Sequence, residues 1–233
     1  MRLNKFLAKS GVASRRKSDE LIQMATTEVN GKVCLDPAYD VTPSDSVYFD
    51  GKKVKLIQDK VVYMFNKPEK VITTVSDTHG RKTVMDYIDS KVRITPIGRL
   101  DQQTTGLLLL TNDGDLHHYL THPSHMVAKD YEATIEGKIS DNQRKNLKRG
   151  IYIGYKEYGK AEIIKQVTLK GRSKVQLRLR QGKKREIRRI FFRLKIKLLS
   201  LKRIGYSDLK LGNLKLGEYR ELNQKEIKSL YKP

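Results

Sequence analysis

The sequence is short of cysteine, of acidic residues and of long apolar runs. Cys34 is the one cysteine in 233 residues, which excludes a disulfide within the chain. No stretch approaches the ~20 apolar residues of a membrane-spanning helix, because lysine and arginine interrupt even the most apolar region, residues 190–205. The first residues also lack the apolar core of a signal peptide. We therefore expect a soluble protein of the reducing cytoplasm.

The 26 acidic residues are outnumbered by 48 lysines and arginines, which gives a net charge of +22. Such a surplus favours a polyanionic partner. The basic residues are concentrated, since residues 1–17 contain six and no acid, and residues 171–203 contain fourteen with Glu186 as the single acid. Scattered basic residues commonly do no more than solvate a surface, but two such dense regions indicate nucleic acid.

The first 24 residues have the pattern of two short helices. An apolar stripe at helical spacing marks the first helix, which Gly11 can end, and Ser14 is a candidate N-cap for a second helix over residues 15–24. The second helix begins with three basic residues, which oppose the helix dipole and do not serve stability; a docked phosphate would relieve the conflict. The predicted nucleic-acid contacts of this segment are Arg2, Lys5, Arg15, Arg16 and Lys17.

Short β-prone runs follow these helices. "EVNGKVC" predicts two runs around an Asn-Gly turn, and "DSVYFDGKKV" predicts a further strand. From "RLNKFLAKSGVASRRKSDELI" to "VNGKVCLDPAYDVTPSDSVYFDG", the sequence resembles the alpha-L RNA-binding module of the ribosomal S-four type. The resemblance implies that the basic two-helix face binds structured RNA, although Ala25 or Thr26 stands where the family usually has glycine. We predict an RNA-binding domain over residues 1–56 and a linker over 57–60.

Residues 61–233 are dominated by β-prone runs. Four segments have helical patterns, namely residues 82–88, 115–122, 140–151 and 185–194. Because strands and helices do not alternate regularly, we predict an α+β domain with a mainly antiparallel central sheet.

One carboxylate in this region is placed conspicuously. Asp101 follows Arg99 and precedes an apolar run, residues 107–110, that predicts a buried strand. A loop held by a rigid strand is where reactive groups tend to be positioned. The alternative is that Asp101 only caps a turn by accepting backbone amides.

The surrounding string "GRLDQQTTGLLLLTNDG" resembles the signature of pseudouridine synthases, specifically of the S-four-domain family that modifies bacterial ribosomal RNA. "NKP", "KDY", "QGKKREIRRIF" and "GNLKLGEYREL" follow in the family order, so the resemblance covers nearly the entire chain. Isomerising uridine to pseudouridine needs one nucleophilic carboxylate and neither metal nor cofactor. The resemblance implies that Asp101 is the nucleophile, Arg188 its counter-charge, Tyr131 the residue that stacks on the base and assists proton transfer, and Arg99 the side chain that flips the base.

The remaining basic residues of these motifs are predicted to contact phosphates, a role that is also the alternative for Arg99. They are Lys129, Lys183, Arg185 and Arg189. Two positions depart from the family pattern: Lys70 replaces a glycine after "NKP", and Glu186 replaces the more frequent glutamine.

Three other functions agree less well with the sequence. His118 and His122 have the spacing of metal ligands on a helix, but no third ligand is at hand, so we predict no metal site. A non-catalytic RNA-binding or ribosome-assembly protein explains the charge equally well, yet leaves Asp101, Tyr131 and Arg188 unexplained. A membrane-surface protein is disfavoured because basic and apolar residues alternate over residues 195–198, as on a half-buried strand.

We expect a monomer acting on ribosomal RNA, free or in assembling subunits, and the lack of a basic C-terminal tail favours the small subunit.

Overall fold

The computed structural model of the chain describes residues 1–231, which form two compact units. The first unit comprises Met1–Lys60, Ser90–Arg93 and Asn112–Gly114, and the second comprises Val61–Asp89, Ile94–Thr111 and the residues from Asp115 onwards. Within residues 1–231, no helix is long and apolar enough to cross a membrane.

The first unit packs two helices with a four-stranded antiparallel sheet. The elements are α1 (Leu3–Lys9), α2 (Arg15–Gln23), β1 (Thr27–Val29), β2 (Lys32–Val33), β3 (Val47–Phe49) and β4 (Lys52–Lys53). The strand order is β2-β1-β3-β4. Its core contains Leu3 and Leu7 of α1, Ile22 of α2 and Val47 of β3, all essentially inaccessible to solvent.

The local signals of this unit are confirmed with one exception. The Ser14 hydroxyl accepts a hydrogen bond from the Lys17 amide at 3.2 Å, as an N-cap does. Asn30 and Gly31 form the predicted turn between β1 and β2. The prediction of one strand in "DSVYFDGKKV" was wrong, because Asp50 and Gly51, both with positive φ, form a second tight turn that separates β3 from β4.

The second unit is built on a nine-stranded sheet, a separate two-stranded hairpin of β9 and β10, and four α-helices. Its strands are β5 (Val62–Lys67), β6 (Thr95–Ile97), β7 (Thr105–Thr111), β8 (Lys129–Glu136), β9 (Ile151–Gly154), β10 (Glu157–Gly159), β11 (Glu162–Leu169), β12 (Arg172–Leu179), β13 (Leu198–Tyr206), β14 (Leu209–Lys210) and β15 (Tyr219–Glu221). Its helices are α3 (Gly114–Thr121), α4 (Asp141–Arg149), α5 (Glu186–Arg193) and α6 (Gln224–Ser229), with short 3-10 helices at Val84–Tyr87 and Pro123–His125.

The sheet confirms the predicted α+β class with mainly antiparallel pairing. Its order is β11-β12-β8-β13-β7-β5-β15, with β14 beside β13 and β6 beside β7. Of the strand pairs in the described part of this sheet, only β13–β7 is parallel. Two apolar clusters support the sheet. One joins alternate residues of β5 and β7 to α3, and the other joins β8 and β12 to α4 and α5.

Three of the four predicted helices are confirmed as α3, α4 and α5. The fourth, residues 82–88, is a single 3-10 turn over Val84–Tyr87, because the chain is already extended at Ile88. The β9–β10 hairpin was not predicted.

A glycine sets how closely β7 approaches β13. Gly106 has φ +103°, and a Cβ atom at this position would lie 2.2 Å from the carbonyl oxygen of Arg203. Arg203 is the parallel partner of Gly106 in the sheet. The contact therefore requires glycine, and it brings the loop before β7 close to the middle of β13.

Candidate active site

The loop that carries Asp101 is fastened by backbone contacts. Thr104 donates its amide to the Asp101 carbonyl at 2.9 Å, and the Lys70 amide donates to the Gln102 carbonyl at 2.9 Å. Thr73 donates its hydroxyl to the carbonyl of buried Leu100 at 2.9 Å. These contacts hold the main chain of the loop and leave the Asp101 carboxylate, which is 35% exposed, pointing into a cleft.

Two guanidinium groups face this carboxylate. The Nε atom of Arg188 and the Nη1 atom of Arg185 each lie 3.6 Å from the Asp101 Oδ2 atom. Two hydrogen bonds fix the guanidinium group of Arg188, because its Nη2 atom donates to the Gln103 carbonyl at 3.0 Å and to the Thr104 hydroxyl at 3.1 Å. Its buried Nε atom has no hydrogen-bond partner within residues 1–231. The carboxylate of Asp101 thus faces two positive charges inside the cleft.

Both arginines lie at the start of helix α5, with Arg185 as its N-cap residue and Arg188 in its first turn. Ile187, Ile190 and Phe191 bury one face of the helix, which leaves Arg188 at the border between core and cleft. Arg185 precedes the first turn with φ +51°. Glu186 is 4% exposed and accepts the Lys183 and Lys160 amides, so the acid that departs from the family pattern secures the start of the helix. Burial raises the pKa of Glu186.

The cleft encloses about 190 Å³ and is closed by strands β8 and β13. Tyr131 and Lys129 of β8 line it together with Arg203 and Tyr206 of β13. Tyr206 donates its hydroxyl to the Leu120 carbonyl at 2.8 Å, and burial raises its pKa to about 12. Arg99 lines the same cleft as an exposed residue. The cleft thus brings together the four residues with predicted catalytic or base-flipping roles, which are Asp101, Tyr131, Arg188 and Arg99.

Arg203 is a cleft residue that the sequence interpretation missed. The side chain is 2% exposed, and its Nε atom donates to the Leu107 carbonyl at 2.6 Å. Its Nη2 atom is buried and has no hydrogen-bond partner among the described residues. A buried arginine is uncommon unless it is paired, so this cation adds to the attraction of the cleft for an anionic ligand. Only the strand pairing of β13 reveals it, since the sequence offers no signal beyond general basicity.

Two lysines near the cleft have lowered pKa values. Burial lowers the pKa of Lys67 from 10.5 to about 8, against the attraction of Glu69 and Asp101. Burial also lowers the pKa of Lys129 to about 8, assisted by the positive charge of Arg203. Lys67 is the lysine of the "NKP" motif, so the sequence could have identified it as a residue near the active site. Lys129, predicted to contact phosphate, instead lies over the Tyr206 ring and donates to the Val127 carbonyl at 3.2 Å.

Lys67 makes the stability of the free protein depend on pH in a defined window. Because its pKa is lower in the folded chain than its ordinary value, unfolding above pH 8 takes up a proton. We expect the free energy of unfolding of the wild type to rise relative to that of Lys67→Met as the pH increases from about 8 to about 10.5. Urea denaturation of both proteins across this range measures the difference. A difference that shrinks with rising pH would contradict the assignment.

The other predicted phosphate contacts differ in their surroundings. Arg185 faces Asp101, and the Lys183 ammonium donates to the Tyr158 carbonyl. Arg189 contacts the Glu157 carboxylate at 2.6 Å and donates to the Ile153 and Gly154 carbonyls at 2.9 and 2.8 Å. These contacts argue against the phosphate role expected for Arg189, because its N–H groups are committed to the β9–β10 hairpin.

Predicted contacts in the first unit lie on its surface. Arg2, Arg15, Arg16 and Lys17 are exposed, and Lys5 is half-buried. Lys17 forms an ion pair with Glu20 at 2.8 Å, one turn along α2. The first turn of α2 holds no acidic residue, so the unfavourable interaction of its basic residues with the helix dipole is present in the structure.

The histidines stack on one another rather than surround a common point. The rings of His118 and His122 are 5.0 Å apart, and His125 packs against Tyr119 at 4.5 Å. Within residues 1–231, no group of three or more histidine, cysteine or acidic side chains is placed to hold a metal ion.

Comparison with known proteins assigns the chain to a family. The family model described as RNA pseudouridylate synthase matches residues 61–192, and the S4 domain model matches residues 1–47. The ribosomal large subunit pseudouridine synthase B of Bacillus subtilis (strain 168) is 40% identical, over 98% of this chain and 95% of that protein. An uncharacterized RNA pseudouridine synthase of Aquifex aeolicus (strain VF5) is 39% identical, over 100% and 94%. A crystal structure of a pseudouridylate synthase superposes with a TM-score of 0.71 at 29% identity, covering 99% of both chains.

The fold and these matches define an RNA-modifying isomerase with an S4 domain. The chain belongs to the RNA pseudouridylate synthase family. The small-subunit preference expected from the C-terminal sequence finds no support, because the Bacillus subtilis relative is named for the large subunit. The length of an exposed tail is a weak indicator of substrate, since termini vary without changing the fold that holds the site.

Proposed function

We propose that this protein isomerises uridine in ribosomal RNA to pseudouridine, with Asp101 as the nucleophile. The observation that carries the proposal is the carboxylate of Asp101 in a cleft, faced at 3.6 Å by the guanidinium groups of Arg185 and Arg188. A carboxylate can serve as the nucleophile of this reaction, and the two guanidinium groups supply its counter-charge inside the cleft.

The reaction rearranges one nucleotide without an external reactant. The bond from ribose C1′ to N1 of uracil breaks, the uracil stays bound and turns, and a new bond joins C1′ to C5. The proton on C5 is released and N1 takes up a proton, so the atoms of the nucleotide balance. Asp101 attacks either the sugar or the uracil in the first step, and the bond that it forms breaks again before the product leaves. Tyr131, on β8 in the same cleft, stacks on the uracil ring and assists proton transfer.

Access to the cleft requires the target uridine to leave its stack. Extruding a base costs a few kcal/mol, which contacts made by the open state must offset. Arg99 is exposed and lines the cleft two residues before Asp101, where its side chain can occupy the space that the uridine vacates. Lys129 and Arg203 add positive charge at the other wall of the cleft.

We further propose how the chain divides this work. Residues 1–56 form the RNA-binding domain, residues 57–60 link it, and residues 61–233 form the catalytic domain. The basic start of α2 supplies the sequence-independent attraction to phosphates. The enzyme acts in the cytoplasm on ribosomal RNA that is free or being assembled.

The substrate is proposed to be large-subunit ribosomal RNA, as the name of the Bacillus subtilis relative suggests. Tritium release from RNA labelled at C5 of uridine tests the reaction and the substrate together. The wild type should release tritium from large-subunit RNA and much less from small-subunit RNA. The reverse preference would overturn the choice of subunit, and release from neither RNA, naked or in assembling subunits, would overturn the catalytic function.

The basic start of α2 provides a test of RNA positioning. Replacing Arg15 and Arg16 together by alanine should weaken binding to ribosomal RNA and lower the slope of log affinity against log salt by about 1 per lost phosphate contact. Stability should be unchanged or slightly higher, because the substitution removes positive charge from a helix N-terminus. Filter binding at several salt concentrations and thermal melting measure the two effects.

A matched control separates the position of these charges from their number. Lys52 and Lys53 form β4 of the same unit and are also exposed. Replacing both by alanine removes the same charge away from α2. If this variant loses as much affinity as the arginine variant, α2 has no special role in RNA contact.

A further inference from the structure

The β9–β10 hairpin and α5 expose an unusual number of aromatic rings beside the cleft. Tyr155 is 90% exposed, Phe192 is 78% exposed, and Tyr158 and Tyr152 are 57% and 46% exposed. These four residues are called the aromatic platform below. Exposed rings clustered on one surface commonly mark an interaction site, because each leaves a large apolar area in water.

Tyr155, at the tip of the hairpin, has a backbone conformation that tyrosine rarely adopts. Tyr155 and Lys156 connect β9 to β10, and both have positive φ, at 55° and 58°. The hairpin turns Asn30–Gly31, Asp50–Gly51 and Lys170–Gly171 each place glycine at one of their two positions. The Tyr155–Lys156 tip has no glycine, so it costs stability that a glycine-containing turn would not. Strain of this kind points to a use for the tyrosine side chain.

Tyr155 and Tyr152 each pack against an arginine, and one of these arginines, Arg189, is itself fixed by hydrogen bonds. The Arg189 guanidinium lies 5.3 Å from the centre of the Tyr155 ring and contacts the Glu157 carboxylate at 2.6 Å. Arg193 lies 5.5 Å from the centre of the Tyr152 ring, which packs edge-on against Tyr158 at 5.6 Å. Rings supported in this way lose little conformational freedom when a flat ligand stacks on them.

The platform is continuous with the cleft that holds Asp101. A groove between the hairpin and α5 is lined by Tyr155 and Phe192 and also by Arg185 and Arg188, the two arginines that face Asp101. Lys184 and Arg193 add positive charge along it. The one acid in its lining, Glu157, is paired with Arg189. The groove therefore suits a ligand that carries negative charge, has flat rings and is long enough to extend into the cleft.

We propose that the aromatic platform binds unpaired nucleotides of the substrate RNA that flank the target uridine, with bases stacked on Tyr155 and Phe192 and phosphates beside Lys184 and Arg193. Basic grooves with interleaved aromatic rings are the common solution for single strands, because every base has a face that can stack. A duplex hides those faces and would make only the phosphate contacts. This inference rests on the proposed function of the cleft and specifies which RNA structure the enzyme accepts.

The test compares the binding of a short oligouridine with that of a paired RNA duplex of the same length. Tyr155→Ala should weaken oligouridine binding by roughly tenfold, the size expected for the loss of one stacked base, and change duplex binding less than ~2-fold. Tyr155→Phe should retain wild-type affinity, since stacking needs the ring and not the hydroxyl. Leu169→Ala is the matched control, because Leu169 is also highly exposed but lies at the end of β11.

A second substitution excludes a merely structural role. Tyr155→Asn places at the hairpin tip a residue that tolerates positive φ, so its melting temperature should equal or exceed that of the wild type while oligouridine binding is weakened as much as in Tyr155→Ala. If Tyr155→Ala and Tyr155→Asn both bind oligouridine like the wild type, the platform does not bind single strands. If sedimentation shows a wild-type dimer that Phe192→Ala dissociates, the platform binds a second copy instead.

Tritium release separates this inference from the proposed function. A wild type that releases tritium, together with platform variants of unchanged oligouridine affinity, would overturn the platform alone. A wild type that binds oligouridine through Tyr155 but releases no tritium from either ribosomal RNA would overturn the catalytic proposal and leave the binding surface standing.

Discussion

Asp101→Asn should abolish tritium release from uridine-labelled ribosomal RNA while leaving RNA affinity unchanged or slightly higher. The amide is nearly the same shape as the carboxylate but is not a nucleophile, so we expect the rate at saturating RNA to fall on the order of 10⁴-fold or more. The fold of the loop should survive. Arg188 is held independently by the Gln103 carbonyl and the Thr104 hydroxyl, and the loop main chain is fastened through Lys70 and Thr73.

The matched control is Asp141→Asn, which makes the same change in charge on α4. The Asp141 side chain is 97% exposed and lies outside the residues that line the cleft. Its tritium release should equal that of the wild type, measured under the same conditions with single-turnover kinetics. Substantial release by Asp101→Asn would remove Asp101 as the nucleophile, whereas equal loss in both variants would indicate a general effect of charge.

Gly106→Ala should destabilise the protein by on the order of 3 kcal/mol or more. A Cβ atom there would lie 2.2 Å from the Arg203 carbonyl oxygen and 2.7 Å from its amide nitrogen, and neither backbone atom can move without breaking the β7–β13 pair. The φ of +103° adds strain for any residue with a side chain. Because the same strands support the Asp101 loop and Arg203, activity should be lost together with stability.

Gly114→Ala provides the comparison for this prediction. Gly114 opens α3, its φ is not in the left-handed region, and nothing lies within 4 Å of the added Cβ atom. Alanine there should change the free energy of unfolding by less than ~1 kcal/mol, in the stabilising direction. Urea denaturation of both variants measures the contrast. Equal stability of the two variants would mean that β7 and β13 are not packed as described.

Much of the local structure follows from short-range patterns. Ser14 caps α2, Asn30–Gly31 forms a hairpin turn, and the run from Leu107 to Leu110 is a fully buried strand, each as predicted. These features depend on interactions between residues close in the chain, where side-chain type and spacing are sufficient. The same patterns failed for residues 82–88, which form one 3-10 turn instead of a helix because the chain is already extended at Ile88.

Contiguous motifs likewise predicted active-site residues, and three of these, Asp101, Tyr131 and Arg188, line one cleft. The motifs could not distinguish among neighbouring arginines. Arg185, predicted to contact phosphate, reaches Asp101 as closely as Arg188 does, whereas Arg189 supports the β9–β10 hairpin. Their different roles depend on the direction that each side chain takes from α5, which the packing of its buried face imposes.

The amino-acid sequence by itself thus determines the family motifs, the basic residues at the start of α2 and most of the strands. These features depend on residue type and on neighbours within a few positions. Long-range packing decides the rest. Arg203 is buried without an ionic partner among the described residues because β13 pairs with β7, nearly a hundred positions earlier in the chain. Lys67 has a lowered pKa because the fold removes it from water. Neither property is present in a segment alone, since burial and charge proximity exist only once distant segments meet.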